Sequence, residues 1–125
     1  MLYHVWFATK NRKWLLLGDV ETAAKECIRQ VAIEKGIRLL ECETMVDHVH
    51  LLLEAAPTEL SETIRLLKGG SAYKVFRQFP ELKLDAKTKS FWQVRYAAKP
   101  VPESGEAAVT QYIRTQKDRP EKFER

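Results

Sequence analysis

The stretch DHVHLLLE, Asp47 to Glu54, holds two of the chain's three histidines inside what otherwise reads as a buried β-strand. Side chains of a strand alternate between its two faces. His48, His50 and Leu52 therefore share one face, and Val49, Leu51 and Leu53 share the other. The all-apolar set is the one that a core and its helices take up. The two imidazoles then stand on the far face, separated by roughly 7 Å of backbone rise. Their rings can still converge on one small ion or one phosphate. Two histidines on a solvated face, satisfied by water or carboxylate, are the plainer alternative. Asp47 and the apolar run Leu51 to Leu53 argue against it, because few strands gather their only polar groups side by side without use.

Upstream, IRLLECET (residues 37–44) reads as a second strand, close enough to pair with this one as a hairpin. Before it, Val20, Ala23, Ala24, Cys27, Ile28 and Val31 recur at helical spacing, with Asp19 placed to cap the start and Gly36 to end the helix. LYHVWFAT (residues 2–9) is aromatic and β-branched and predicts a first strand with Tyr3, Val5 and Phe7 on one face. A basic turn, KNRK, follows it.

Downstream, Pro57 and Thr58 open a second helix whose buried stripe is Leu60, Ile64 and Leu67, extended by Val75 and Phe79. Gly69 and Gly70 fall inside it. Each glycine costs ~1 kcal/mol in a helix interior, so the pair marks either a break or a close approach of backbone to a neighbour. Pro80 stops the helix, and ELKLDAKTKS reads as a polar connection. FWQVRYAA (residues 91–98) predicts a fourth strand, KPVPESG a turn, and residues 104–117 a last helix. The order β-α-β-β-α-β-α predicts an α+β chain, one domain over residues 1–125. Its ferredoxin-like (RRM-like) β-α-β-β-α-β antiparallel sheet carries helices on one face, and an additional C-terminal helix either covers the other face or packs elsewhere.

The bulk composition is that of a globular protein, 45% hydrophobic and 30% charged. No secretory leader is expected, and Trp14 to Leu17 is far shorter than the ~20 apolar residues that span a bilayer. Cys27 and Cys42 fall in different elements and form no CxxC pair, which points to a reduced, cytoplasmic chain. The net charge is +4 and the pI about 9.1. The basic excess is clustered: Lys10, Arg12 and Lys13 have no acid near them, and Lys83, Lys87, Lys89, Arg95 and Lys99 stand against Asp85. Such clusters suit a polyanion, or are simply a solvated charged face.

The last predicted helix contains QYIRTQ. Tyr112 and Gln116 stand at i and i+4 and so share a helical face beside the apolar pair Val109 and Ile113. A glutamine carbonyl is a weak neutral ligand, suited to Mg²⁺ or Mn²⁺ beside phosphate oxygens. A tyrosine next to a bound phosphate can be a nucleophile, although only ~0.1% of an unperturbed phenol is ionised at pH 7. The competing reading is a surface tyrosine shielding an apolar stripe.

Taken together, YHVWFATKNRKWLL, MVDHVHLLLEAAP, LKGGSAYKVFRQFPELK, FWQVRYAA and QYIRTQ occur in an order and spacing that resembles the small single-tyrosine HUH transposases of insertion sequences, the TnpA-like group. The resemblance implies that His48 and His50 are metal ligands, that Tyr112 is the nucleophile and that Gln116 completes the protein ligands of a divalent ion, Mg²⁺ or Mn²⁺. It implies metal-dependent cleavage and rejoining of single-stranded DNA at hairpin-marked transposon ends through a 5′-phosphotyrosine, with no nucleotide cofactor. It further implies a homodimer whose nucleophile helix docks on the partner's histidine strand, acting at the nucleoid of a prokaryotic cytoplasm. The chain departs from the family at two places: where a threonine-valine-glycine segment is usual it has YAAKPVPESG, the linker that sets where Tyr112 can reach, and LKGGSAYK carries Gly70 where a bulkier or basic residue is expected. Lys10, Arg12 and Lys68 are candidates for phosphate contact, or ordinary surface charges. Two other readings are a domesticated repeat-associated tyrosine transposase and a non-catalytic nucleic-acid-binding module stacking bases on His4 and Trp6. A structural metal-binding protein is disfavoured, because two histidines and a glutamine make a poor closed site.

Overall fold

The computed structural model describes residues 1–86 and 90–116. Along the chain lie β1 (Leu2–Ala8), α1 (Gly18–Glu34), β2 (Arg38–Thr44), β3 (His48–Glu54), α2 (Leu60–Gln78), α3 (Glu81–Ala86), β4 (Ala97–Val101) and α4 (Glu106–Arg114). Tight 3-10 turns occupy Lys10–Arg12, Pro57–Glu59 and Glu103–Gly105. The strands form one four-stranded sheet in the order β2-β3-β1-β4, antiparallel at every step. This is the expected ferredoxin-like arrangement, and β2 and β3 form the expected hairpin.

Alternation decides the two faces. Val5 and Phe7 of β1 join Val49, Leu51 and Leu53 of β3 in the main core, against Ala24, Cys27, Ile28 and Val31 of α1 and Ile64, Leu67 and Val75 of α2. Burying a branched aliphatic side chain of this kind contributes about 1.5–3 kcal/mol, so β1 and β3 are anchored firmly enough to hold whatever their other faces carry. The opposite face is partly covered by α4: Ile113 meets Leu52 and Val101, with Leu2, Leu40, Val109 and Tyr112 around them. The helix thus lies on its own chain's sheet, and Arg114 reaches Glu41 of β2 through Nε at 3.1 Å and Nη2 at 2.8 Å.

Several local expectations are corrected. Asp19 does not cap α1. Gly18 takes φ +55°, the helix starts there after Leu17, and Asp19 sits in the first turn with no side-chain cap bond, where the helix dipole still favours its charge. Gly36 does end the helix, in the left-handed region at φ +67°. The glycine pair marks a close approach, not a break. α2 runs through both, and a Cβ on Gly70 would stand 2.7 Å from Cγ2 of Val31, whereas one on Gly69 would meet nothing within 4 Å.

Gly70→Ala is therefore expected to destabilise the fold by about 1–3 kcal/mol through overpacking against a stiff valine. Gly69→Ala is expected to stabilise it by about 0.5–1 kcal/mol. Urea denaturation of the two variants checks this; equal shifts in one direction would contradict the packing of α1 on α2.

The fourth strand lies further along than its aromatics suggested, because Phe91 and Trp92 are core anchors. They pack edge to face on each other at 4.7 Å, Trp92 on Phe7 at 4.8 Å and Phe91 on Phe76 at 5.7 Å. A single bridge, Thr9 to Trp92, ties them to the end of β1. β4 instead runs through Lys99, Pro100 and Val101, part of the expected turn. Pro100 is tolerated there because β4 is an edge strand, where a missing N–H need break no ladder bond. The connection read as polar begins with a short helix, α3, and its Lys87 to Lys89 lie outside the described residues. The last helix is shorter than expected: Ser104 belongs to the 3-10 turn before α4, and Lys117 lies outside the described residues. Among the described residues no helix is long and apolar enough to cross a membrane.

Candidate active site

The antiparallel register places Trp6 of β1 opposite His50, and His4 opposite Leu52. These residues all point to the face that α4 covers. Where α4 ends, a cleft of about 710 Å³ remains, lined by His4, Trp6, His48, His50, Tyr112 and Gln116, with Arg12, Arg95 and Lys99 also on its walls.

His48 and His50 are largely buried, their rings 5.0 Å apart at 75°. Nδ1 of His48 lies 2.7 Å from Oδ1 of Asp47, whose Oδ2 accepts from Nε of Arg12 at 3.0 Å. An ionised carboxylate only accepts, so Nδ1 of His48 carries the proton and Nε2 presents its lone pair. Nδ1 of His50 lies 3.0 Å from Nε2 of His4, and the two rings stack at 5.2 Å. His4 has its pKa lowered by burial and, secondarily, by the Lys99 ammonium.

Tyr112 enters from α4. Its ring stands perpendicular to His50 at 6.0 Å and edge-on to His4 at 5.9 Å. Gln116 lies just past the helix, only 1% exposed, with its amide Nε2 donating to the Tyr112 carbonyl at 3.3 Å. Its carbonyl oxygen is the atom that it can offer a cation. Among the described residues no group of three or more His, Cys, Asp and Glu could hold a metal. Two imidazole nitrogens and an amide oxygen are the available set. That set fits an open, incompletely ligated divalent ion whose other positions go to water or phosphate oxygens. It does not fit a closed structural zinc site.

A family model described as "Transposase IS200 like" matches residues 1–116. The chain belongs to the IS200-like transposase family. Over 118 residues it is 34% identical to the ISDra2 transposase TnpA of Deinococcus radiodurans, covering 94% of this chain and 84% of that one. Over 115 residues it is 33% identical to the IS200 transposase of Salmonella typhimurium, covering 91% of this chain and 75% of that one. A Deinococcus radiodurans crystal structure assigned to a transposase superposes with a TM-score of 0.74 at 36% identity, over 93% of this chain and 90% of that one. The structure of a REP-associated tyrosine transposase bound to a REP hairpin superposes with a TM-score of 0.64 at 14% identity, over 92% and 65%, a likeness of fold. The transposase is thus an insertion-sequence enzyme that binds DNA and carries out transposition.

Of the three candidates for phosphate contact, Lys10, Arg12 and Lys68, Arg12 lines the cleft of the transposase, its Nε engaged by Asp47. Lys10 shares its turn without lining the cleft. Lys68 is engaged elsewhere. Its ammonium donates to the carbonyls of Gln93, Val94 at 2.9 Å and Arg95 at 3.2 Å. Burial lowers its pKa. It holds the segment between Trp92 and β4 and is not placed as a phosphate contact. The contact of His4 with His50 was not read from the sequence, although the place of His4 on the same face of β1 as Trp6 was visible. Cys27 and Cys42 are both free thiols, and burial pushes Cys42 up to about 11.

Proposed function

We propose that the transposase cuts and rejoins single-stranded DNA through Tyr112, with His48, His50 and Gln116 holding one Mg²⁺ or Mn²⁺ ion. The observation that carries this reading is the convergence of these four side chains, from β3 and the end of α4, on one cleft. Such a cation, when bound, supplies Lewis-acid polarisation of the scissile phosphate. The chain's own groups do the rest. The Tyr112 phenol gives up its proton and its oxygen bonds to phosphorus. The bond from phosphorus to the 3′-oxygen breaks, and that oxygen leaves as a 3′-hydroxyl, taking up a proton. The product is a 5′-phosphotyrosine, which conserves the bond energy, so that a later 3′-hydroxyl restores the phosphodiester without a nucleotide cofactor. Arg12, Arg95 and Lys99 offer positive charge to neighbouring phosphates.

Family membership supports DNA with hairpin-marked ends as the substrate and a homodimer as the working form, in a prokaryotic cytoplasm that keeps the two thiols reduced. In this chain α4 reaches the cleft of its own sheet, so one protomer carries all four groups.

The test is to incubate the purified transposase and Mn²⁺ with single strands carrying the palindromes that flank its own gene. A covalent protein–DNA adduct, seen on a denaturing gel and not formed when EDTA is present from the start, is the expected result. No adduct on any such strand would sink the reading, and an adduct that forms with EDTA present from the start would remove the metal from it.

A further inference from the structure

We infer that His4 is a positioning residue that holds His50 in the tautomer able to ligate a cation. The inference rests on the metal reading above and deepens it. The two strand histidines are supported differently. His48 faces a carboxylate, which accepts only, so its tautomer has no choice. His50 faces another imidazole at 3.0 Å. Between two neutral imidazoles one proton lies in the contact, and either ring can own it.

If His50 owns it, Nδ1–H donates to Nε2 of His4 and the lone pair of His50 sits on Nε2. If His4 owns it, His50 accepts at Nδ1 and carries its own proton on Nε2, where it can ligate nothing. Ligation through Nε2 therefore requires His4 to act as the acceptor. The stacking at 5.2 Å and 29° also restrains the rotation of the His50 ring, and Trp6 stands against both rings, 4.8 Å from His4 and 6.3 Å from His50. Partners of this kind alter metal affinity by about 10–100-fold in other sites.

Mn²⁺ binding to the full chain without DNA, followed by isothermal titration calorimetry, tests this. His4→Leu keeps most of the ring's volume and removes the acceptor; its affinity is expected to fall about tenfold or more. His4→Gln restores an acceptor near the old Nε2 and is expected to bind within about threefold of the parent. His50→Ala is the control for the metal site itself. Parent-like binding by His4→Leu would overturn the inference. So would equal weakness of His4→Leu and His4→Gln, which would leave packing of the ring as the cause. If the parent chain and His50→Ala bind alike, the metal reading fails first. The metal-free melting temperature confirms folding, and His4→Met replaces the leucine variant if that one unfolds.

Discussion

Tyr112→Phe is expected to bind hairpin-ended single-stranded DNA within a few-fold of the parent and to form no covalent adduct. The substitution removes one oxygen and keeps the ring that stands against His4 and His50. The apolar contact of α4 with Leu52 and Val101 rests on Ile113 and is untouched. Stability should therefore change little, while strand cleavage falls by on the order of 10³-fold or more, as it does when an enzyme loses its nucleophile. A denaturing gel of the parent and variant with labelled strand and Mn²⁺ measures the adduct, and a filter-binding titration measures affinity. Adduct formed by the variant would mean that another residue attacks. Loss of binding together with cleavage would make Tyr112 a DNA-binding group.

Phe91→Ala is expected to cost about 3–5 kcal/mol. Phe91 is 1% exposed and joins Phe76 and Trp92 in edge-to-face contacts. The loss is a large fraction of the ~5–15 kcal/mol that stabilises a typical domain. Val94→Ala, three positions on at a residue 86% exposed, should lie within ~0.5 kcal/mol of the parent. Urea midpoints of the two variants decide the matter. Similar costs would mean that Val94 is buried much as Phe91 is, and would contradict two core anchors followed by a loop held by Lys68.

That segment shows where the sequence misleads. Aromatic and β-branched residues favour strands because they fit a half-buried pleated surface, and FWQVRYAA offers both. A core gap between α2 and β1 takes Phe91 and Trp92 just as well. Composition does not tell the two burials apart. Pro100, by contrast, looked like a strand breaker; only the edge position of β4 makes it acceptable. Lys68 is a similar case. A lysine on a helix gives no sign, in sequence, of three carbonyls waiting for it from a segment far along the chain.

For the site, alternation along β3 was enough to put His48 and His50 on one face and Val49, Leu51 and Leu53 on the other, because a strand's faces follow from local backbone geometry. The i, i+4 spacing of Tyr112 and Gln116 was readable for the same reason. The sequence by itself thus determined which side chains share a surface. Which surfaces meet was decided only by the tertiary structure. The register of β1 on β3 brings His4 to Nδ1 of His50, and the turn at Lys10–Arg12 brings Arg12 to Asp47. The packing of Ile113 on Leu52 and Val101 brings Tyr112 over the histidines. Those contacts join residues distant in sequence, and the hydrophobic burial that selects them is summed over the whole sheet, so no short stretch of the chain encodes them.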